Sequence, residues 1–287
     1  MIKLVHDSGS PAPGFGALAL MRSLEQQLAK KQHKPSDEAQ DLFYDAMDAA
    51  TQEAEFALLQ KVLTLDPGHT GALLAVLRHR PLGRDDEIEV LRKIVAVAEK
   101  RLGPNPFEEY AGAFWGLHQT RPYMRARSQL AMSLQEGGHI EEAIVELEAM
   151  LALNPSDNQG VRYALLACYL SVRHLDGAAR LFEEFDECAF NTVFAWGHVL
   201  ERWLAGDIPG AQQALAVARK QNGHTEASIK GHKRLPKHLP ATYSPGSKEE
   251  AQCFAEPLRM MWRTYPNALT WLITQAVKRR GSVRETD

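Results

Sequence analysis

The chain has 287 residues, 45% of them hydrophobic and 24% charged, with a formal net charge of -3. That is ample material for a core in one or two domains, and too little net charge to draw the whole chain to nucleic acid or an anionic membrane. Cys168, Cys188 and Cys253 are scattered, odd in number and without a CxxC pair, which argues against a disulfide framework or a zinc site and for a reducing compartment.

In chain order, the amino terminus "MIKLVHDSGSPAPGFGALALMRSLEQQLAKKQ" carries one apolar run, Gly14 to Met21. It is too short to span a bilayer, and Asp7 with two prolines spoils a signal-peptide pattern. A soluble cytoplasmic protein is expected, with no membrane contact and a first helix from about Ala17 to Gln32. From Ser36, a hydroxyl ahead of Asp37 and Glu38 marks a helix start. A helix pair comes next, with Leu42, Ala46 and Leu59 at its landmarks, Glu55 where a small residue is expected, and Pro67 closing it. Asp37 to Glu55 contains no Lys or Arg and reads as a solvated acidic face. His69 to Leu102 reads as an irregular second pair broken at "RHRPLGRDD", and "LGPNPFEEY" separates these units from the middle of the chain.

That middle region is periodic. In "MRARSQLAMSLQEGGHIEEAIVELEAMLALNP", Leu130 and Leu134 mark a first helix, Ala143 and Leu147 a second, and Pro155 its end. Leu165, Tyr169, Ala178 and Phe182 repeat the pattern, as do Val199, Trp203, Ala211 and Leu215. Leu130, Leu165 and Val199 lie 35 and 34 residues apart; Ala143, Ala178 and Ala211 lie 35 and 33 apart. Alanine in the second helix lets two backbones approach, and a lone hairpin cannot bury its apolar stripe, so such hairpins stack. Gly137-Gly138 and Gly206-Asp207 supply the turns.

This spacing resembles the tetratricopeptide repeat superfamily from about Ser36 to Asn222. The strings "FWGLHQTRPYMRARSQLA", "LNPSDNQGVRYALLACYL" and "LPATYSPGSKEEAQCF" are similar to bacterial tetratricopeptide proteins related to the suppression-of-tumorigenicity family. The resemblance implies an all-α solenoid of stacked antiparallel helix pairs with a C-terminal helical cap, acting as an interaction scaffold without catalytic residues. The expected segments are 1–35 (tail and first helix), 36–103 (irregular units), 104–222 (three central units), 223–246 (basic linker) and 247–287 (capping helices).

In the repeat frame, Arg125, Ser128 and Met132, then Tyr163 and Ala167, then Phe194, Gly197 and Glu201 face inward. They lack the Lys and Asn pattern that grips chaperone tails, so no two-carboxylate clamp is expected. "WGLHQTRPYMRAR" adds Trp115, His118, Arg121, Tyr123 and Arg127. Two readings stay open there: a cationic, aromatic groove mouth for an acidic peptide, or rings packed between hairpins with arginines paired to nearby acids. Asn154, Asp157, Asn158 and Arg162 are read as turn residues, and Trp196 and Trp203 as core.

Arg219 to His238 carries an excess of basic residues, either a solvated linker or a phosphate-binding loop. No RNA-binding signature accompanies it, so a nucleic-acid-associated regulator is the second reading, behind a protein or peptide partner. The closing segment predicts a helix from Ser247, with Glu250 completing a capping box, interrupted at Pro257, and another over about Asn267–Lys278. Met260, Met261, Trp262, Leu269, Trp271, Leu272 and Ile273 are expected to cover the last repeat. No glycine-rich phosphate loop, GxSxG elbow or HExxH occurs, so neither enzyme activity nor a cofactor or metal is expected.

Overall fold

The structure, a computed structural model, describes Arg22, Leu24, Gln26 and residues 37–79, 82–231 and 238–281, the last six of these as backbone only. Most of the expected first helix, and the Ser36 start, therefore lie outside the described residues. Arg22, Leu24 and Gln26 are helical, with Leu24 buried. Among the described residues there are fifteen α-helices, no strand, and no helix long and apolar enough to cross a membrane. The chain divides into two compact units between Gln159 and Gly160, a boundary inside the stretch expected to hold the three central repeats.

The first unit contains α1 (Asp37–Met47), α2 (Gln52–Leu65), α3 (Thr70–Arg78), α4 (Arg84–Leu102), α5 (Asn105–Glu109), a 3-10 turn (Phe114–Gly116), α6 (Arg121–Glu136) and α7 (Ile140–Leu153). The second contains α8 (Val161–Ser171), α9 (Leu175–Glu184), α10 (Thr192–Leu204), α11 (Ile208–Gln221), α12 (Thr225–Ile229), α13 (Lys248–Cys253), α14 (Ala255–Arg263) and α15 (Pro266–Gly281).

The three predicted hairpins are α6–α7, α8–α9 and α10–α11, and one backbone device builds all of them. Gly138, Arg173 and Gly206 each take a left-handed conformation, at φ 81°, 58° and 81°. Their amides bond back to the carbonyls of Gln135, Leu170 and Trp203. The next amides, of His139, His174 and Asp207, reach the carbonyls of Leu134, Tyr169 and Arg202. These two bonds per turn are the Schellman arrangement, which satisfies the last carbonyls of one helix while reversing the chain. His174 and Asp207 then cap the following helix, their side chains accepting from Gly177 N and Gly210 N at 2.9 Å each. Arg173 holds the position without glycine's freedom, and its guanidinium Nη2 donates to the Leu204 carbonyl at 2.9 Å.

Past each turn the landmark alanines are sealed: Ala143, Ala178 and Ala211 have no exposed surface, and Leu130, Leu165 and Val199 are buried opposite them. Gly197 lies against α8, where an added Cβ would meet the Leu166 side chain at 3.1 Å, so its small size lets α8 and α10 pack closely.

In the first unit, α1 and α2 form the predicted earlier hairpin, with Ala46 and Leu59 buried and Leu42 half-buried. Glu55 occupies the small-residue position because it is used: its oxygens lie 3.2 Å from Arg78 and 3.1 Å from His79, at the end of α3. Arg101 clasps Asp66 through two hydrogen bonds of 2.6 and 2.8 Å. Beside them His69 caps α3, its Nδ1 accepting from Ala72 N at 3.1 Å while Nε2 faces Gln40 Oε1 at 3.3 Å. Both contacts suit a neutral ring protonated on Nε2.

The closing segment departs from expectation. Rather than covering only the last hairpin, α14 packs on α8, α10 and α12, with α15 against α14. Leu258, Met261, Trp262 and Leu272 are buried, and the Tyr265 hydroxyl donates to the Leu170 carbonyl at 2.8 Å. Ile273, expected in the cover, is exposed instead. The helix break falls at Phe254, which puts Pro257 in the first turn of α14, where its missing N–H has no partner to lose. Ser247 caps α13 by accepting from Glu250 N, but the reciprocal half of the capping box is absent. The Glu250 carboxylate accepts instead from Thr192 N, Gln221 Nε2, Asn222 Nδ2 and Gly246 N at 2.7 to 3.2 Å.

Glu250 thus ties the closing segment to both ends of the α10–α11 hairpin. Glu250→Ala strands those buried donors and should lower unfolding stability by about 3 kcal/mol. Thermal and urea melts should show the loss; an unchanged midpoint would mean the segment is held without this carboxylate.

Burial holds the His69 imidazole below its ordinary value, with Arg101 adding to the effect and Asp66 opposing it. His198, half-buried against Phe182, is lowered chiefly by desolvation too. Because the folded state disfavours the protonated ring, the stability from each neutral histidine is complete above an unfolded value of about 6.5 and falls away as pH drops below it. Melts from pH 8 to 5 should decline over that window. His69→Asn, which keeps a capping acceptor, should remove its share of the slope.

Candidate functional site

The strongest site is one face of α6 in the first unit. Arg121, Arg125, Ser128 and Met132 recur at steps of four, three and four residues, so they form a single stripe. Beside it lies a groove of about 370 Å³ lined by Arg125, Ser128, Gln129, Met132, Ser133 and Glu136, with Arg78, Arg84, Glu87 and Gln159 from neighbouring elements. Met132 is 56% exposed, a large apolar side chain without cover.

The aromatic and basic cluster ahead of α6 divides in two. Tyr123 turns inward onto Phe107 and Phe114, at ring distances of 5.3 and 6.2 Å. Arg127 accompanies it, its Nε donating to Glu146 at 2.6 Å and its Nη1 to the Tyr123 hydroxyl at 3.2 Å. Burial pushes the Tyr123 hydroxyl above its ordinary value. Trp115, His118, Arg121 and Arg125 stay outside. Trp115 is half-buried in the 3-10 turn, and His118 is exposed in the loop before α6. Arg121 donates from Nε to the Trp115 carbonyl at 2.9 Å, and the guanidinium groups of Arg121 and Arg125 lie 5.4 and 5.9 Å from the Trp115 ring centre.

The charges around the groove separate into spent and unspent. Arg84 bonds Glu87 at 2.8 Å and Glu136 at 2.6 Å, and Ser133 Oγ donates to the other Glu87 oxygen at 3.1 Å. Arg78 pairs with Glu55 at 3.2 Å. Among the described residues, no carboxylate pairs with Arg121 or Arg125. The groove therefore has the Arg125 guanidinium, without a carboxylate partner among the described residues, and the exposed Met132 thioether in its lining, with Arg121 one turn before Arg125 on the same stripe. Gln159 adds a buried Oε1 with no hydrogen-bond donor among the described residues.

The remaining candidates lie in the second unit and are differently placed. Tyr163 is half-buried, its ring 5.9 Å from Phe194 and 5.3 Å from Phe254, with its hydroxyl donating to Glu187 at 2.9 Å. Phe194 is fully buried, and Ala167 with it. Glu201 is 2% exposed and bonded to Arg202 at 2.6 Å. In this unit α14 of the closing segment packs on both α8 and α10, and Phe254 just before it lies against Tyr163.

Periodicity on α6 is sufficient to find Gln129, Ser133 and Glu136, which fall on the same helical face as Arg125 and Met132. Arg78, Arg84, Glu87 and Gln159 arrive through tertiary packing and carry no local signal. In the basic loop, Arg219 and Lys230 both bond Glu226, at 2.8 and 2.7 Å, while His232, Lys233, Arg234 and Lys237 lie outside the described residues. No group of three or more His, Cys, Asp or Glu able to hold a metal ion occurs among the described residues. Burial pushes the Cys188 thiol up to about 11, which keeps it protonated near neutral pH.

No protein-family model matches the chain, and no curated protein matches it.

Arg127 and Arg125 should therefore respond differently to truncation. Arg127→Ala leaves Glu146 half-buried and unpaired and should cost about 2–3 kcal/mol, whereas Arg125→Ala should stay within about 0.5 kcal/mol of the parent. Equilibrium denaturation of the two variants side by side checks this.

Proposed function

We propose that the protein is a non-catalytic interaction scaffold built from tetratricopeptide-like hairpins, and that it takes an acidic peptide segment of a partner protein along the α6 stripe. The hairpin reading is supported by the recurrence of one turn at Gly138, Arg173 and Gly206, at intervals of 35 and 33 residues. The observation that carries the binding reading is the pair Arg121 and Arg125, cationic, without carboxylate partners among the described residues, and on a stripe beside an open groove. Leaving two guanidinium groups unpaired, with an aromatic ring beneath them, suits an anionic ligand. The lining favours arginine over a Lys and Asn pair, which speaks against a chaperone-tail clamp. None of Cys168, Cys188 and Cys253 is in a disulfide, in keeping with a cytoplasmic setting.

The alternative, a nucleic-acid regulator using the basic loop, has less support, because Glu226 neutralises part of that charge.

An array of synthetic peptides probed with purified protein tests the proposal. Acidic sequences should bind in preference to neutral scrambles, weaken as salt rises, and lose at least about tenfold in affinity on Arg121→Glu with Arg125→Glu. Equal binding by the double variant would remove this face from consideration.

A further inference from the structure

The arginines of α6 that lack a carboxylate partner have a counterpart in the same unit. On α1, Ala39 and Ala46 are buried and Leu42 and Phe43 half-buried, which fixes the inner face of that helix. The opposite face presents Asp37, Asp41 and Tyr44, continued by Asp48 one residue past the helix end. All of them are exposed, Tyr44 by 60%. Glu38, Asp45 and Glu53 are exposed too, and no Lys or Arg occurs from residue 37 to residue 60. None of these carboxylates has an ion pair or a hydrogen bond among the described residues.

The two stripes match in spacing. Arg121, Arg125, Ser128 and Met132 run at steps of four, three and four residues, and so do Asp37, Asp41, Tyr44 and Asp48. Each stripe is about 17 Å long. A second molecule can therefore lay carboxylates against both guanidinium groups, in charge-assisted hydrogen bonds, and bring the Tyr44 ring to the exposed Met132 sulfur. Within one molecule α1 packs on α2, α2 on α3 and α3 on α6, and no carboxylate of α1 pairs with Arg121 or Arg125. A net charge of -3 adds little general repulsion between copies.

We propose that the acidic face of α1 in one molecule docks on the α6 stripe of a second copy of this chain. The proposal rests on the acidic-ligand reading above and names the ligand. The two surfaces differ, so the contact is heterologous. Each joined pair still offers one free acidic face and one free cationic stripe, and association runs on beyond two copies unless a ring closes. Two short helix faces bury well under the roughly 1,600 Å² of a standard interface, so the contact is weak, reversible and sensitive to salt.

Sedimentation velocity of the full-length protein over a wide concentration range tests this. The average mass should rise with concentration and return to that of a monomer at about 0.5 M salt. Arg121→Glu with Arg125→Glu should weaken association at least about tenfold, as should Asp37→Asn with Asp41→Asn and Asp48→Asn. Mixed, the two variants should associate as strongly as the parent but stop at an equimolar pair, because the first keeps only the acidic face and the second only the cationic stripe. A parent protein that stays monomeric at every concentration overturns self-association, and acidic peptides that bind this monomer leave the earlier reading intact. If those peptides also fail to bind, both fall. Undiminished association in either variant, or a mixture that does not associate, shows that α1 and α6 are not the mating surfaces. Circular dichroism of each variant separates a lost contact from a lost fold.

Discussion

The left-handed residue at each of the three hairpin turns from α6 to α11 is the constraint on which that part of the structure depends. Gly138, Arg173 and Gly206 bring the chain back on itself within a few residues and spend the carbonyls a helix end would otherwise expose. Once the chain reverses, the second helix must lie on the first, and alanines at 143, 178 and 211 set how close. The period visible in the side chains is therefore also a period in backbone geometry. Arg173 shows how firmly the context imposes it: an arginine accepts a conformation that costs roughly 1 kcal/mol because both turn bonds and its own bond to Leu204 depend on it.

The hairpins fix which side chains share a face, but ion pairing decides which of those remain available. Around α6, five arginines meet a limited supply of acids. Glu146 claims Arg127, Glu55 claims Arg78, and Glu87 with Glu136 claims Arg84. Arg121 and Arg125 are left with an aromatic ring. Paired guanidinium groups add little to recognition, because a ligand must first compete with a carboxylate already in place. The site is thus defined less by where the cations are than by which ones have no carboxylate partner among the described residues.

Much of the hairpin plan was legible in the sequence because it depends on contacts a few residues apart. Turn chemistry at Gly137-Gly138, alanine spacing and the Pro155 stop are all local signals, and the inward stripe of Arg125, Ser128 and Met132 comes from helical periodicity alone. What escaped depends on distant partners. Glu250 reads as the fourth residue of a capping box, yet its carboxylate is taken by Thr192 and Asn222, some sixty and thirty residues away respectively. Glu55 reads as a blemish in a repeat, and is an ion-pair anchor for α3. Gln159 carries no motif, and its role in the groove depends on where the chain places it after α7.

The same repeat position then meets different fates. Met132, Ala167 and Glu201 occupy equivalent places on α6, α8 and α10, and a sequence frame treats them alike. On α8 and α10 the position is buried, in a unit where α14 packs against both helices. There the position favours a small residue, or an acid with a neighbour to neutralise it, and Ala167 and Glu201 with Arg202 satisfy this. On α6 it stays open, and a methionine stands in the gap. An uncovered, flexible thioether makes a poor solvent-facing residue and a good adaptable contact. Equivalence in the repeat therefore specifies direction and leaves cover undetermined, and it is cover that separates a core position from a binding one.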